Sequence, residues 1–480
     1  MGPSLALTVS FLLYTLGIVV VGLYSARYAS RSTSDYLLAR RGLGPWVAAL
    51  SASASSESGW VTLGLVGAAF SDGVAAFWVV PGCLAGYAFN WWILARPVNR
   101  ATAAGDVYTM PDLLSALLGR SLAVRLACVA VIFVMMTAYV AAQFNAAGKA
   151  FEAVFHVSYP AGVLIGVAIV VAYTFTGGFR AVAWTDFLQG LLMWAALVFL
   201  PLITVGEAGG WTALMERLAA VDPSLASPWA GREGMLAAGL VIGWLGIGLG
   251  YPGQPHVLVR FMAARDEAAI RRGRVIAMGW GAVVFTGAVV LGLACRVLFA
   301  DIADAEQALP IAAVRLLPGV AAGLMLAAVL AAICSTADSQ LLAASASLSH
   351  DLYARLTGKD LDSRHVVAMD RLAVMVVGAL AMTLALTENR VIFSFVLYAW
   401  AGLGAAFGPP LILALLWGKT TPRGALAGMA AGFATVIVWK NVEALSGSIY
   451  ELVPAFILSM LATWTVSRLD RRGPAAAINS

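Results

Sequence analysis

Apolar residues run along this chain in long, almost uncharged blocks. The stretches 11–24, 191–205, 278–294, 319–333 and 374–385 are examples. Each extends at its flanks toward the ~20 residues a helix needs to cross ~30 Å of hydrocarbon. Polar and apolar residues do not alternate in ~10-residue segments, which excludes the pattern of a membrane barrel. The blocks predict thirteen helical spans, at about 4–25, 43–70, 74–96, 122–152, 159–177, 181–206, 235–262, 271–299, 318–351, 367–387, 391–417, 421–441 and 449–468. The fold class expected is therefore an all-α integral membrane protein. The first span lacks a basic leading region and an A-x-A-like cleavage site, so it is expected to stay in the mature chain.

Three stretches interrupt the oily pattern at membrane depth. "SASASSESGW", residues 51–60, places five serines and Glu57 inside an apolar block. "GWLGIGLGYPGQPH", residues 243–256, holds five glycines and two prolines; Pro252 and Pro255 remove backbone donors and the glycines weaken the helix, so an unwound middle is expected. The third is "CSTADSQ", residues 334–340. Unwound backbone in hydrocarbon is tolerated only where it is buried in protein or lines an aqueous cavity. Counting from Leu43, the first interruption opens one block of five helices and the second opens the next. Broken helices in corresponding places of two halves point to an inverted-repeat transporter with a midplane site. The expected organisation is a single transmembrane domain over 1–480: an extra N-terminal helix at 4–25, a first repeat at 43–206, a second at 235–417, and C-terminal helices at 421–468.

Composition agrees with a membrane chain: 61% of residues are hydrophobic, 11% are charged and the mean hydropathy is +0.87, whereas a soluble domain carries about 25% charged residues. If the N-terminus lies outside, only Lys149, Arg217, Arg232, Arg296, Arg315, Arg390 and Lys440 fall on the outer side, and the other 23 of the 30 Lys and Arg residues fall on the inner side. That bias predicts N-terminus out and C-terminus in, across a bacterial cytoplasmic membrane. It accounts for the net charge of +5 by cytoplasmic loops facing anionic lipid, without nucleic acid.

Several chemistries lose support. Cys83, Cys128, Cys295 and Cys334 have no metal-like spacing and read as packing residues. His156, His256, His350 and His365 are scattered and form no H-E-x-x-H, so zinc catalysis is not expected. "WGKT" at 417–420 resembles the end of a phosphate loop, but position 413 is leucine where the loop needs glycine, so ATP does not drive the protein. No nucleophile–base pair is apparent, and no enzyme is expected.

The polar residues favour a hard cation. Ser335, Asp338 and Ser339 share one helix face with Thr336 beside them, and hydroxyl and carboxylate oxygens suit such an ion better than softer metals. Asp186 could approach this face. Glu57 and Asp186 are costly in a bilayer and point to function. The plainer readings are helix packing for Ser51 and Ser53, capping or a salt bridge near Arg180 for Asp186, a structural carboxylate for Glu57, and interior packing for Tyr139, Trp244 and Tyr251.

At these residues the chain resembles the sodium/solute symporter family, and within it the bacterial sodium/proline branch. The strings that carry the resemblance are "SGWVTLGLVGAAF", "TFTGGFRAVAWTD", "GLGYPGQPHVLVRFMAA", "ENRV", "YAWAGLGAAFGP" and "GALAGM", in matching order along almost the whole chain. The resemblance implies thirteen helices around a 5+5 inverted-repeat, leucine-transporter-like core and sodium-driven import by alternating access. Na+ would be held by the carbonyls of Ala54, Glu57 and Ala332 with the hydroxyls of Ser335 and Thr336. A second sodium position would use Asp186, Asp338 and Ser339. The solute pocket would be lined by Ser56, Ser58, Gly59, Trp60, Tyr139, Ile247, Tyr251, Pro255 and Gly323. Two positions depart from the proline branch: Ser56 stands where it has aspartate, with the carboxylate moved to Glu57, and Ile247 stands where it has tryptophan, with Trp244 about one turn earlier.

The expected solute is proline or a related amino acid. The alternatives are another amino acid or small carboxylate with a proton taking part through Glu57, a channel, or a transporter-like membrane sensor. Polar residues thin out toward both ends, against a channel, and about a dozen residues follow the last span, against an appended signalling domain. The expected partners are the solute, sodium and the bilayer, with no obligatory protein partner.

Overall fold

The computed structural model describes residues 4–26, 33–103, 105, 107–174, 178–358, 364–387 and 391–470. Arg27, Arg31, Lys359, Arg390, Arg471 and Arg472 from the charge count, and parts of "TFTGGFRAVAWTD" and "ENRV", lie outside these residues. Helices follow one another throughout, and the large apolar side chains left on the surface, such as Leu12, Leu13, Phe199, Leu202 and Leu461, are those a lipid environment would cover.

Each expected span falls on a helical stretch, but length and hydropathy alone select nine among the described residues, with Leu5–Val21 and Tyr159–Ala172 as shorter apolar helices. Part of the difference lies in Pro45–Ala103, a single helical stretch of 59 residues that contains two expected spans. In one straight helix Glu57 and Tyr87 would stand about 45 Å apart at 1.5 Å per residue. Instead the Tyr87 hydroxyl donates to the Glu57 carboxylate at 2.9 Å, so the stretch doubles back. The reversal is at Gly73, whose φ of 66° suits a residue without a Cβ; a Cβ there would also lie 2.1 Å from the Leu225 carbonyl oxygen.

Both expected breaks are present. The helix Pro45–Gly59 leaves helical geometry at Ser58 (φ 53°, ψ −173°), and the chain resumes in a wide turn at Trp60–Leu65 and the helix Val66–Asp72. The helix Gly234–Gly246 tightens into the 3₁₀ segment Ile247–Gly253, is extended at Gln254 and restarts at Pro255–Ala263. Side chains replace the helical partners lost there. Ser58 Oγ accepts from the Trp60 N–H at 2.9 Å and Gln143 Oε1 from the Gly59 N–H at 3.0 Å. Across the second break, Trp400 Nε1 donates to Ile247 O at 3.0 Å, Asn90 Nδ2 to Tyr251 O at 3.0 Å and Gln254 Nε2 to Gly250 O at 3.1 Å. Backbone groups with no water to turn to are thereby satisfied.

Between the breaks runs the helix Gly319–Ala346, buried on every side from Leu326 to Leu342. An all-round buried helix is a core element, and this one carries the Cys334–Gln340 cluster to the molecule's centre.

Candidate functional site

The first break lies against the buried central helix at Ser335. Ser335 Oγ is 3.2 Å from both Ala54 O and Ala332 O, and Thr336 Oγ1 is 3.4 Å from Ala54 O. Four of the five residues expected at the first sodium position therefore converge. Their oxygens are neutral, close together and removed from solvent, the donor set a hard monovalent ion takes. The Glu57 carbonyl accepts the Trp60 N–H within its own turn.

The side chain of Glu57 turns elsewhere. Its carboxylate accepts from Tyr87 at 2.9 Å and from Trp280 Nε1 at 2.6 Å, while Ser56 Oγ lies 3.0 Å from the same Tyr87 hydroxyl. Tyr87 and Trp280 were not singled out from sequence, and nothing in their local sequence marks them.

Beside this cluster a chamber is lined by Ser56, Trp60, Tyr139, Ile247, Tyr251, Val396, Leu397 and Trp400. Its volume of about 10 Å³ holds roughly one water molecule, so its walls are closed around the site. Trp60 stacks on Phe393 at 5.7 Å and Tyr251 meets Trp400 edge-on at 4.7 Å. Five of the nine expected solute residues share this chamber. Ser58 and Gly59 form the break itself, and Pro255 lines a separate cavity with Arg260 and Ser339. Gly323 requires correction. A Cβ on it would lie 2.0 Å from Ser10 Oγ and 2.5 Å from Leu7 O, so its small size serves the crossing with the N-terminal helix Leu5–Ala26. Val396, Leu397 and Trp400 were missed, although "YAWAGLGAAFGP" held the tryptophan.

A wider vestibule of about 180 Å³ adjoins the chamber and shares Ile247 and Leu397 with it; Trp244, Tyr450 and Glu451 also line it. Trp244, one turn before the expected pocket position, is thus a vestibule residue.

The second expected ion position is assembled around a partner the sequence reading did not include. Asp186 Oδ2 accepts from Ser51 Oγ at 2.7 Å and from Arg260 Nη2 at 2.8 Å, and the same Nη2 is 2.6 Å from Ser339 Oγ. Ser339 Oγ also lies 2.8 Å from Ser335 O and 3.2 Å from Asp338 Oδ1. Ser51 therefore does more than pack. Asp186 pairs with Arg260, while Arg180 pairs with Asp35 at 3.1 Å.

One further polar cluster went unnoticed. Asp112, His350 and Asp351 bring potential metal-ligand atoms within 4.8 Å of one another, although their sequence separation gave no spacing motif. Arg125 Nη1, at 2.5 Å from Asp112 and 2.7 Å from Asp351, sets a positive charge against both carboxylates. All four cysteines are buried and none forms a disulfide.

Comparison with known proteins adds the lineage. Residues 36–432 match the model described as the sodium:solute symporter family. The high-affinity proline transporter PutP of Bacillus subtilis (strain 168) is 39% identical over 96% of this chain and 97% of its own length. A sodium/proline symporter of Staphylococcus aureus (strain JH9) is 35% identical over 96% and 92%. Among solved structures, a Na+-coupled sialic acid symporter in a substrate-bound outward-open state superposes with a TM-score of 0.82 at 17% identity, over 98% of this chain and 99% of that one. Mhp1, a nucleobase-cation-symport-1 family transporter in a closed conformation, reaches 0.56 at 15% identity over 92% and 97%.

Proposed function

The chain belongs to the sodium:solute symporter family, and from that premise we propose that it imports proline in symport with sodium by alternating access. It is a multi-pass membrane transporter with a leucine-transporter-like core. The observation that carries the site assignment is the convergence of Ser335 and Thr336 on the Ala54 and Ala332 carbonyls, at a helix break beside a closed chamber. We assign the sodium to these oxygens and the solute to Ser56, Trp60, Tyr139, Ile247, Tyr251 and the newly found Trp400. The two five-helix blocks, 43–206 and 235–417, act as the two halves of one domain, with the N-terminus outside.

In this reading sodium ties the segment around Ala54 to the central helix. That fixes the Ser58 break and with it Ser56 and Trp60, two walls of the chamber. The solute then finds its walls already positioned. Ion and solute raise each other's affinity by the same coupling free energy, typically ~1–3 kcal/mol, and the ion's downhill entry drives the solute. Glu57 already has two donors within the protein. Sodium is the coupling ion in this reading.

The test is uptake of radiolabelled proline into proteoliposomes. A sodium gradient should drive accumulation and a pH gradient should not, in the native protein and in Glu57→Gln. Ser335→Ala with Thr336→Ala should raise the sodium concentration for half-maximal uptake at least tenfold. Proline uptake driven equally by a pH gradient, or a double variant with native sodium dependence, would refute the assignment.

A further inference from the structure

Among the described residues Arg260 is the most deeply buried cation. Its side chain is 1% exposed and that of its partner Asp186 is 0% exposed. Every edge of the guanidinium is engaged. Nε donates to Ser51 Oγ at 3.0 Å, Nη1 to the His256 carbonyl, and Nη2 to Asp186 Oδ2 at 2.8 Å and Ser339 Oγ at 2.6 Å. Its face lies 5.0 Å from the centre of the Phe179 ring. Three helical segments thus meet on one side chain: Pro45–Gly59 through Ser51, Phe179–Glu207 through Asp186, and the central helix through Ser339.

These oxygens include two of the three residues expected to hold a second sodium. A guanidinium already within hydrogen-bond distance of both is incompatible with a small cation between them, because two positive charges so close in a dry interior repel strongly. The residues therefore do not fit a second sodium while Arg260 is in place.

We propose that Arg260 is a tethered cation filling the second ion position, so that the protein binds a single sodium and a second site appears only when this side chain's charge is removed. The placement explains how Asp186 can be buried without an ion, since its charge is balanced from within the chain. It also ties the tethered charge to the sodium cluster, because Ser339 contacts the backbone of Ser335, a ligand of the first position. Oxygens for a second ion remain available. Asp186 Oδ1 has no hydrogen-bond partner, and a cavity of about 40 Å³ reaches Arg260 and Ser339 past Thr109 and Pro255. The inference rests on sodium binding at Ser335 and Thr336, and the experiment separates the two.

The measurement is the number of ²²Na+ ions bound per purified full-length protein, with thermal unfolding followed against sodium concentration. The native protein should bind one ion. Arg260→Met should bind two and should gain more thermal stability from sodium than the native protein does, because the second ion replaces the missing charge. Arg260→Met with Asp186→Asn should return to one. A native count of two overturns the tethered-cation proposal, as does a count of one in Arg260→Met. Where Arg260→Met does not fold, the native count decides alone, one supporting and two overturning. A native count of zero removes the assignment of sodium to Ser335 and Thr336, and the tethered-cation proposal with it.

Discussion

The helix Leu122–Phe155 carries buried charge at both ends, and the two ends are built differently. Near its start, Arg125 binds Asp112 and Asp351; Asp112 also meets His350 at 2.7 Å and Arg355 at 3.6 Å, and Thr109 bonds Asp351 at 3.0 Å. This network locks the short helix Met110–Leu117 to the far end of the stretch Gly319–Thr357. Near the helix's other end Lys149 binds Glu306 at 2.5 Å and Asp304 at 2.8 Å. Glu306 then accepts the backbone N–H groups of Ile392 and Phe393, at 3.0 and 2.8 Å, capping the helix Ile392–Ile412 in place of a side chain of its own. Phe393 is the ring that stacks on Trp60. One end is a redundant knot remote from the chamber; the other is a single lysine tie linked through one acid to the chamber's wall.

The largest contrast should come from removing each central cation. Arg125→Ala strands two acids that are 2% and 0% exposed, a change that costs about 3–5 kcal/mol for a buried pair. Its melting temperature should fall well below that of Lys149→Met, and equal losses would erase the distinction between knot and tie. Next comes Glu306→Gln, which weakens bonds to a charged group worth about 1.5–3 kcal/mol each. It should raise thiol labelling of a cysteine placed at Leu397 about tenfold or more, in a background lacking the four native cysteines; an unchanged rate would detach the tie from the chamber.

The smallest effect concerns acidity. Burial alone would raise the Asp112 carboxyl, but the hydrogen bond and charge of His350 and the charge of Arg125 hold it well below the usual carboxylate range. A folded-state pKa below the unfolded value gives stability that is present at neutral pH and lost as pH falls through the carboxylate range toward the folded value. The melting-temperature difference between native protein and Asp112→Asn should therefore hold from neutral pH down to about pH 5 and narrow from there to about pH 2. A gap that widens over that interval would contradict the network.

What sequence could show was local. The breaks at Ser58 and around Ile247–Gln254 were legible because serine, glycine and proline alter the backbone where they stand, and the Ser335 cluster was legible because its hydroxyls share a helix face. Partners far along the chain left no such trace. Tyr87 and Trp280 reach Glu57 from 30 and 223 positions away, and Arg260 reaches Asp186 from 74. Gly323 shows the opposite error: a small residue suits a pocket wall and a tight helix crossing equally, and only its neighbours decide. The reversal at Gly73 was expected between two spans, yet the helices on either side run together so closely that length alone would merge them.

Because the Glu57 carboxylate is turned toward Tyr87 and Trp280, none of the side chains bordering the chamber bears a formal charge at neutral pH. Discrimination among amino acids then falls to the expense of carrying an unbalanced charge into hydrocarbon. A side chain with an unbalanced charge would meet no counter-charge on these walls, whereas an amino acid carrying only its own ammonium and carboxylate would need none.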